Sequence, residues 1–168
     1  TGASKQAEDA TYLIKVPNSM SLKVNYSSPF AEADQIVFKN FKSEVAVNTL
    51  DADIEFINVT GPITSGTIDG TTKVEFSKVS QESPISISSI DGEIDVTLPA
   101  NTPANLEFSN LDGEVYTDFD VDFAKKKKDG KYSMKYIGGH NSSKGTINNG
   151  GVKISLSTID GIIYLRKK

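Results

Sequence analysis

The sequence predicts an all-β chain wound as a single-stranded β-helix, a right-handed solenoid of short strands with one projecting β-hairpin. Three observations predict it. One tripeptide recurs as Leu50-Asp51-Ala52, Ile68-Asp69-Gly70, Ile90-Asp91-Gly92, Leu111-Asp112-Gly113 and Ile159-Asp160-Gly161, the first four at steps of about twenty residues. Apolar and polar residues alternate at period two nearly throughout, with little helical periodicity. Gly61-Pro62, Ser83-Pro84, Pro103 and Gly150-Gly151 mark the start of most units, where proline belongs because it cannot donate to a sheet ladder. An antiparallel β-sandwich is the alternative, since Asp-Gly between alternating apolar runs is also a hairpin signal. The solenoid is preferred because the same side-chain class returns at the same offset in every unit.

Within each unit the elements follow from these offsets. Five residues before the apolar residue of the tripeptide stand Val45, Ile63, Ile85, Leu106 and Ile154, and four residues after it stand Ile54, Thr72, Ile94, Val115 and Ile163. Each unit reads as strand, sharp corner, strand. Stacked coils would set Leu50, Ile68, Ile90 and Leu111 above one another at the sheet spacing of about 4.8 Å, as the core ladder. The chain is expected to be a single domain over 1–168. Residues 1–35 supply N-terminal strands and a cap, 36–119 the regular coils, 120–145 a hairpin and loop insertion, and 146–168 a C-terminal coil. Tyr12–Val16 and Ser21–Tyr26 read as strands around Pro17-Asn18, and Ser28-Pro29 as the start of a helical turn. Val121, Phe123, Tyr132, Met134 and Tyr136 alternate around Asp129-Gly130, which makes the hairpin.

Composition narrows the classes of function. With 18 Lys and Arg against 22 Asp and Glu, there is no electrostatic reason to expect a nucleic-acid partner. The run Lys125-Lys126-Lys127-Lys128 runs into Asp129-Gly130 and reads first as a solvated loop tip. There is no cysteine, hence no disulfide and no thiol nucleophile. No apolar stretch approaches the roughly 20 residues of a membrane-spanning helix. The opening Thr1-Gly2-Ala3-Ser4 lacks an apolar signal core, which fits either a mature exported protein or a trimmed sequence.

No catalytic set stands out. The one histidine, His140, lies in a Gly- and Ser-rich stretch with no nucleophile arranged beside it, and one His without Cys cannot furnish a zinc site. Paired carboxylates could cleave a polysaccharide, and Asp51, Asp53, Asp91, Glu93, Asp95, Asp112 and Glu114 are available. Their period-two spacing reads more simply as a solvated outer face. Stacked corner aspartates would repel by about 1 kcal/mol per neighbouring pair in water. Calcium could relieve that, but an aspartate bonded to its own turn explains the residue without an ion. No metal and no cofactor is expected.

Several longer runs carry a resemblance. These are Asn58-Val59-Thr60-Gly61-Pro62, Gly92-Glu93-Ile94-Asp95-Val96-Thr97-Leu98-Pro99-Ala100, Gly113-Glu114-Val115-Tyr116-Thr117-Asp118-Phe119-Asp120, and the ending from Ile147-Asn148-Asn149-Gly150-Gly151 to Gly161-Ile162-Ile163-Tyr164-Leu165. Over roughly residues 36–168 the chain resembles a bacterial adhesin-type family of exported domains of unknown function. It departs from that pattern in having Asp-Gly where the family often has Asn-Gly. The resemblance implies a single-stranded β-helix outside the cytoplasm, in the periplasm, at the outer membrane or on the cell surface. The expectation is a non-enzymatic scaffold for adhesion or binding, with a surface polysaccharide or a protein as partner. Peripheral or lipid-anchored membrane association would come through a preceding segment. The binding surface expected is the hairpin, with Lys125, Lys126, Lys127, Lys128, Tyr132 and Tyr136. A carbohydrate-active enzyme on the acidic face and a protein polymerising end to end through open sheet edges are the alternatives.

Overall fold

The computed structural model describes residues 11–27, 35–123 and 142–168. These form strands and no helix: β1 (Leu22–Tyr26), β2 (Gln35–Lys39), β3 (Val45–Thr49), β4 (Asp53–Val59), β5 (Ile63–Asp69), β6 (Thr72–Phe76), β7 (Ile85–Asp91), β8 (Ile94–Leu98), β9 (Ala104–Thr117), β10 (Asp122–Phe123), β11 (Ser143–Ile147) and β12 (Val152–Lys167). Each coil crosses two walls. The first wall stacks β1, β3, β5 and β7 in parallel, and the second stacks β2, β4, β6 and β8. Register is held from coil to coil, with Val45 opposite Ile63, Thr64 opposite Ser86, and Ile54 opposite Thr72. The architecture is the expected all-β solenoid of parallel strands. β9 and β12 are long because each runs along the first wall, round the corner and along the second without a break.

The stacking order departs from sequence order. β12 pairs with β7 from Ile154 opposite Ile85 to Asp160 opposite Asp91, and with β8 from Ile163 opposite Ile94. Its other side pairs with β9, from Val152 opposite Ala104 to Leu165 opposite Thr117. The C-terminal coil is therefore wedged between coils that are adjacent in sequence. The expected column Leu50, Ile68, Ile90, Leu111 is corrected to Leu50, Ile68, Ile90, Ile159, Leu111. The C-terminal tail continues beside the end of β8. The Lys168 N–H donates to Leu98 O at 3.0 Å, and Lys168 O accepts from the Ala100 N–H at 2.9 Å. β12 suits this place, because Val152, Ile154, Leu156, Ile163 and Leu165 all face inward and are buried. Beyond β9, β11 adds antiparallel (Ser143 opposite Phe108) and β10 pairs antiparallel with β11. The segment expected to project as a hairpin falls between β10 and β11 in sequence. Its Lys run, Tyr132, Tyr136 and His140 lie outside the described residues, as does the helical turn expected after Pro29.

A second correction concerns which residues form the core. The inward columns are Val45, Ile63, Ile85, Ile154 and Leu106 on the first wall, and Ile54, Thr72, Ile94, Ile163 and Val115 on the second, all buried. Leu50, Ile68, Ile90, Leu111 and Ile159 point outward instead, and Thr49, Thr67, Ser89, Asn110 and Thr158 are buried just before them. Period two dictates this. An odd offset of five residues from Val45 to Leu50 reverses the face. Alternation breaks at the corner, where the apolar residue and the aspartate after it are both exposed.

Close approach explains the glycines at that corner. A Cβ on Gly92 would collide with Gly70 O, one on Gly161 with Gly92 O, and one on Gly113 with Gly161 O. Each carbonyl occupies the space of the next coil's side chain. Gly70 also has φ +107°, a conformation L side chains rarely adopt. The hydroxyls beneath fit the same tight space: Ser89 Oγ lies 3.0 Å from the Gly92 Cβ position and Thr158 Oγ1 lies 2.9 Å from that of Gly161. The opposite corner uses asparagine. Asn40 (φ 61°) and Asn58 (φ 56°) are left-handed, and the Asn58 Nδ2 group donates to Asn40 Oδ1 at 2.6 Å.

Ion pairs lace the outer strands. Lys144 on β11 and Lys153 on β12 reach Glu107 on β9 at 3.1 and 2.6 Å, and Lys168 reaches Glu75 at 2.7 Å. Hydrogen bonds from Lys153 and Lys144 hold the Glu107 carboxyl below its ordinary value of 4.5, and a hydrogen bond from Lys168 does the same for Glu75.

Three measurements check this description. In a chain without native cysteine, Ser88→Cys with Ser157→Cys should oxidise to an intramolecular disulfide, seen as a mobility shift on non-reducing gels. Ser88→Cys with Ser109→Cys should not, since two strand spacings (about 9.6 Å) separate them. Gly161→Ala should destabilise by roughly 2–4 kcal/mol in denaturant melts, because backbone must move to admit the methyl. The carboxyl of Glu107 is depressed in the folded state, so its contribution is full above pH 4.5 and lost as pH falls through its lowered value. The stability gap between wild type and Glu107→Gln should close over that acid range.

Candidate functional site

The outward residues of the corner assemble into one continuous feature. Leu50, Ile68, Ile90, Ile159 and Leu111 are 40%, 45%, 45%, 48% and 56% exposed, one on each of five successive coils. Strand stacking spaces them about 4.8 Å apart. Scattered exposed aliphatics are normal, but five in line form a patch on the order of 400 Å², the size at which an exposed apolar surface marks an interaction site. The rest of the wall behind it contributes none of this: the ridge exists because every coil places its branched aliphatic at the same outward corner position.

Two other columns run alongside. On one side are Asp51, Asp69, Asp91, Asp160 and Asp112, stacked through the backbone pairs Asp51–Asp69, Asp69–Asp91, Asp91–Asp160 and Asp160–Asp112. All five are exposed. Asp69 Oδ1 accepts the Gly70 N–H at 2.7 Å, the bond to its own turn that explains an aspartate here without an ion. Among the described residues no three acidic or histidine side chains converge as a metal site. On the other side the row Asn48, Gly66, Ser88, Ser157 and Ser109 makes a shelf of mostly small side chains on the first wall.

The remaining carboxylates proposed for chemistry are spread out. Asp95 accepts from Arg166 Nε at 2.9 and 3.0 Å, and Asp53 Oδ1 accepts the Thr71 N–H at 2.7 Å. Glu114 accepts from the Tyr116 hydroxyl. The Asp95 pair keeps Arg166 above its ordinary value. Asp51, Asp91 and Asp112 stand exposed in the corner column. On the second wall Tyr116 and Tyr164 stack with centroids 5.5 Å apart, and Arg166 lies 4.4 Å from the centre of the Tyr164 ring. The Tyr164 ring thus meets both Tyr116 and Arg166. A shallow depression over β9, β11 and β12 is lined by Asn105, Glu107, Asp122, Lys144 and Lys153, and its central Glu107 is already neutralised by the two lysines.

The lysines and tyrosines expected to bind, Lys125 to Lys128 with Tyr132 and Tyr136, lie outside the described residues, so the site built here is a different one. The sequence carries its signal: the odd offset between the tripeptide's aliphatic and the core columns puts that residue outside. Neither curated proteins nor solved structures yield a match to the chain. The family profile of Toastrack DUF4097, a domain of unknown function, matches residues 18–166, which takes in β1, all the stacked coils and the inserted C-terminal strand. The chain belongs to the Toastrack DUF4097 family.

Proposed function

We propose that this protein is a non-enzymatic binding scaffold that holds a protein partner on its corner ridge, in the role of an extracytoplasmic adhesion or binding protein. The observation that carries the reading is the column of five exposed aliphatics, each on its own coil. A folded chain gains by burying branched aliphatics, and a surface that leaves five in line is suited to burying them on something else. A protein suits an aliphatic ridge better than a polysaccharide, whose hydroxyls need polar partners and open aromatic faces. The family resemblance supports the location outside the cytoplasm. End-to-end polymerisation is less favoured, because β1 and β2 offer parallel edges while β9 carries the antiparallel β11.

Wild type and the pair Ile68→Asn with Ile90→Asn are compared for turnover and for binding. Neither should release reducing ends from neutral or acidic polysaccharides. Wild type should be retained on the protein fraction of a cell envelope, and the variant, still folded by circular dichroism, should lose that retention by about tenfold. Polysaccharide turnover abolished by Asp91→Asn or Glu93→Gln would replace this reading with the enzymatic one.

A further inference from the structure

The spacing and charge of the ridge narrow its partner beyond a protein surface in general. We infer that the ridge takes an amphipathic α-helix of a partner protein, lying along the stack with one aliphatic per turn on the ridge and a cationic flank over the aspartate column. The inference rests on the ridge being a binding surface.

Three observations carry it. The first is pitch. Ridge side chains repeat at about 4.8 Å, and five of them span about 19 Å. A helix presents one seam residue every 5.4 Å and covers that length in about 13 residues. The offset is about 0.6 Å per step, or about 2.4 Å at the fifth rung, which side chains can absorb. An extended strand presents a same-face residue only about every 6.8 Å, so it would be about 8 Å out of step at the fifth rung.

The second is charge. Asp51, Asp69, Asp91, Asp160 and Asp112 repeat at the pitch of the ridge and are exposed along it. Like charges so close repel, and a row of Lys or Arg at one per turn would relieve every pair at once. The same column opposes a second copy of this chain, whose net charge is −4, and an anionic membrane.

The third is shape. Next to the ridge, Gly66, Ser88, Ser157 and Ser109 present little bulk, and no cationic side chain stands in that row. A helix laid on this shelf can approach with its aliphatic seam against the ridge and its lysines extended past it to the carboxylates.

The probe is a 14-residue helical peptide of Leu and Lys, with Leu along one seam, read by fluorescence anisotropy and by methyl NMR shifts of the ridge residues. A matched Leu and Glu peptide and anionic phospholipid vesicles serve as contrasts, and sedimentation reports self-association. The Lys peptide should bind, move the Ile68, Ile90 and Ile159 methyls, and weaken about tenfold as salt rises from low to 0.5 M. Ile68→Asn with Ile90→Asn, which removes the aliphatics without adding charge, should weaken it at least tenfold. Asp91→Asn with Asp160→Asn, which keeps the side-chain shape, should weaken it several-fold and flatten the salt dependence. Equal binding of the Glu peptide, binding unaffected by both variants, shifts confined to the second wall, or preference for vesicles or for self-association would each overturn the inference. If the Lys peptide fails while the ridge variant still loses envelope retention, the helix is wrong and the binding scaffold stands. If the variant loses neither, both fall.

Discussion

The close stacking of backbone at the Asp-Gly corner is the constraint on which the rest of the molecule depends. One coil's carbonyl oxygen fills the volume where the next coil's Cβ would stand, from Gly70 through Gly92 and Gly161 to Gly113. Such an approach leaves no freedom of register, because sliding one strand by a residue would drive a side chain into that space. In-register parallel pairing follows, and with it the superposition of like residues in columns. The core, the aspartate column and the aliphatic ridge are all consequences of that single locked corner.

The same corner fixes an unusual exchange of inside and outside. On the inner side, just before the aliphatic, Thr49, Thr67, Ser89, Thr158 and Asn110 are buried. In the same column Thr67 Oγ1 donates to Asp69 O at 2.5 Å, a hydroxyl bonded to its own turn. The aliphatic that might have been buried stands one residue later, outside. A corner that leaves its aliphatic about half exposed forgoes part of that burial, and the ridge that results gives the exchange a functional sense.

Insertion of β12 between β7 and β9 ties the coil of β7 and β8 to the coil of β9. β9 has its parallel neighbour only in residues that follow their partners by 48 positions, so the outer coil depends on a contact of high sequence separation. Arg166 on Asp95, Lys168 on Glu75 and Lys153 on Glu107 fasten β12 to strands on both of its sides. These surface pairs add modestly to stability. Their larger role is to favour one placement of a strand whose apolar pattern would match other rungs. The ridge itself needs that placement, since Ile159 bridges Ile90 and Leu111.

The sequence by itself determined the all-β class, the corner, and the coil length. Period-two alternation, the recurring Asp-Gly and the proline marks are local patterns that any folded form of this chain must respect. It also contained the facing of the ridge, in the odd offset between Val45 and Leu50, although a column of aliphatics invites the assumption that it is buried. What it did not contain is the order of the stack. Ile85, Leu106 and Ile154 carry the same pattern, so nothing local says which coil lies on which. That choice belongs to tertiary structure, where side-chain columns, corner contacts and cross-strand ion pairs are satisfied together. Similar rungs are interchangeable in sequence, and only their simultaneous packing tells them apart.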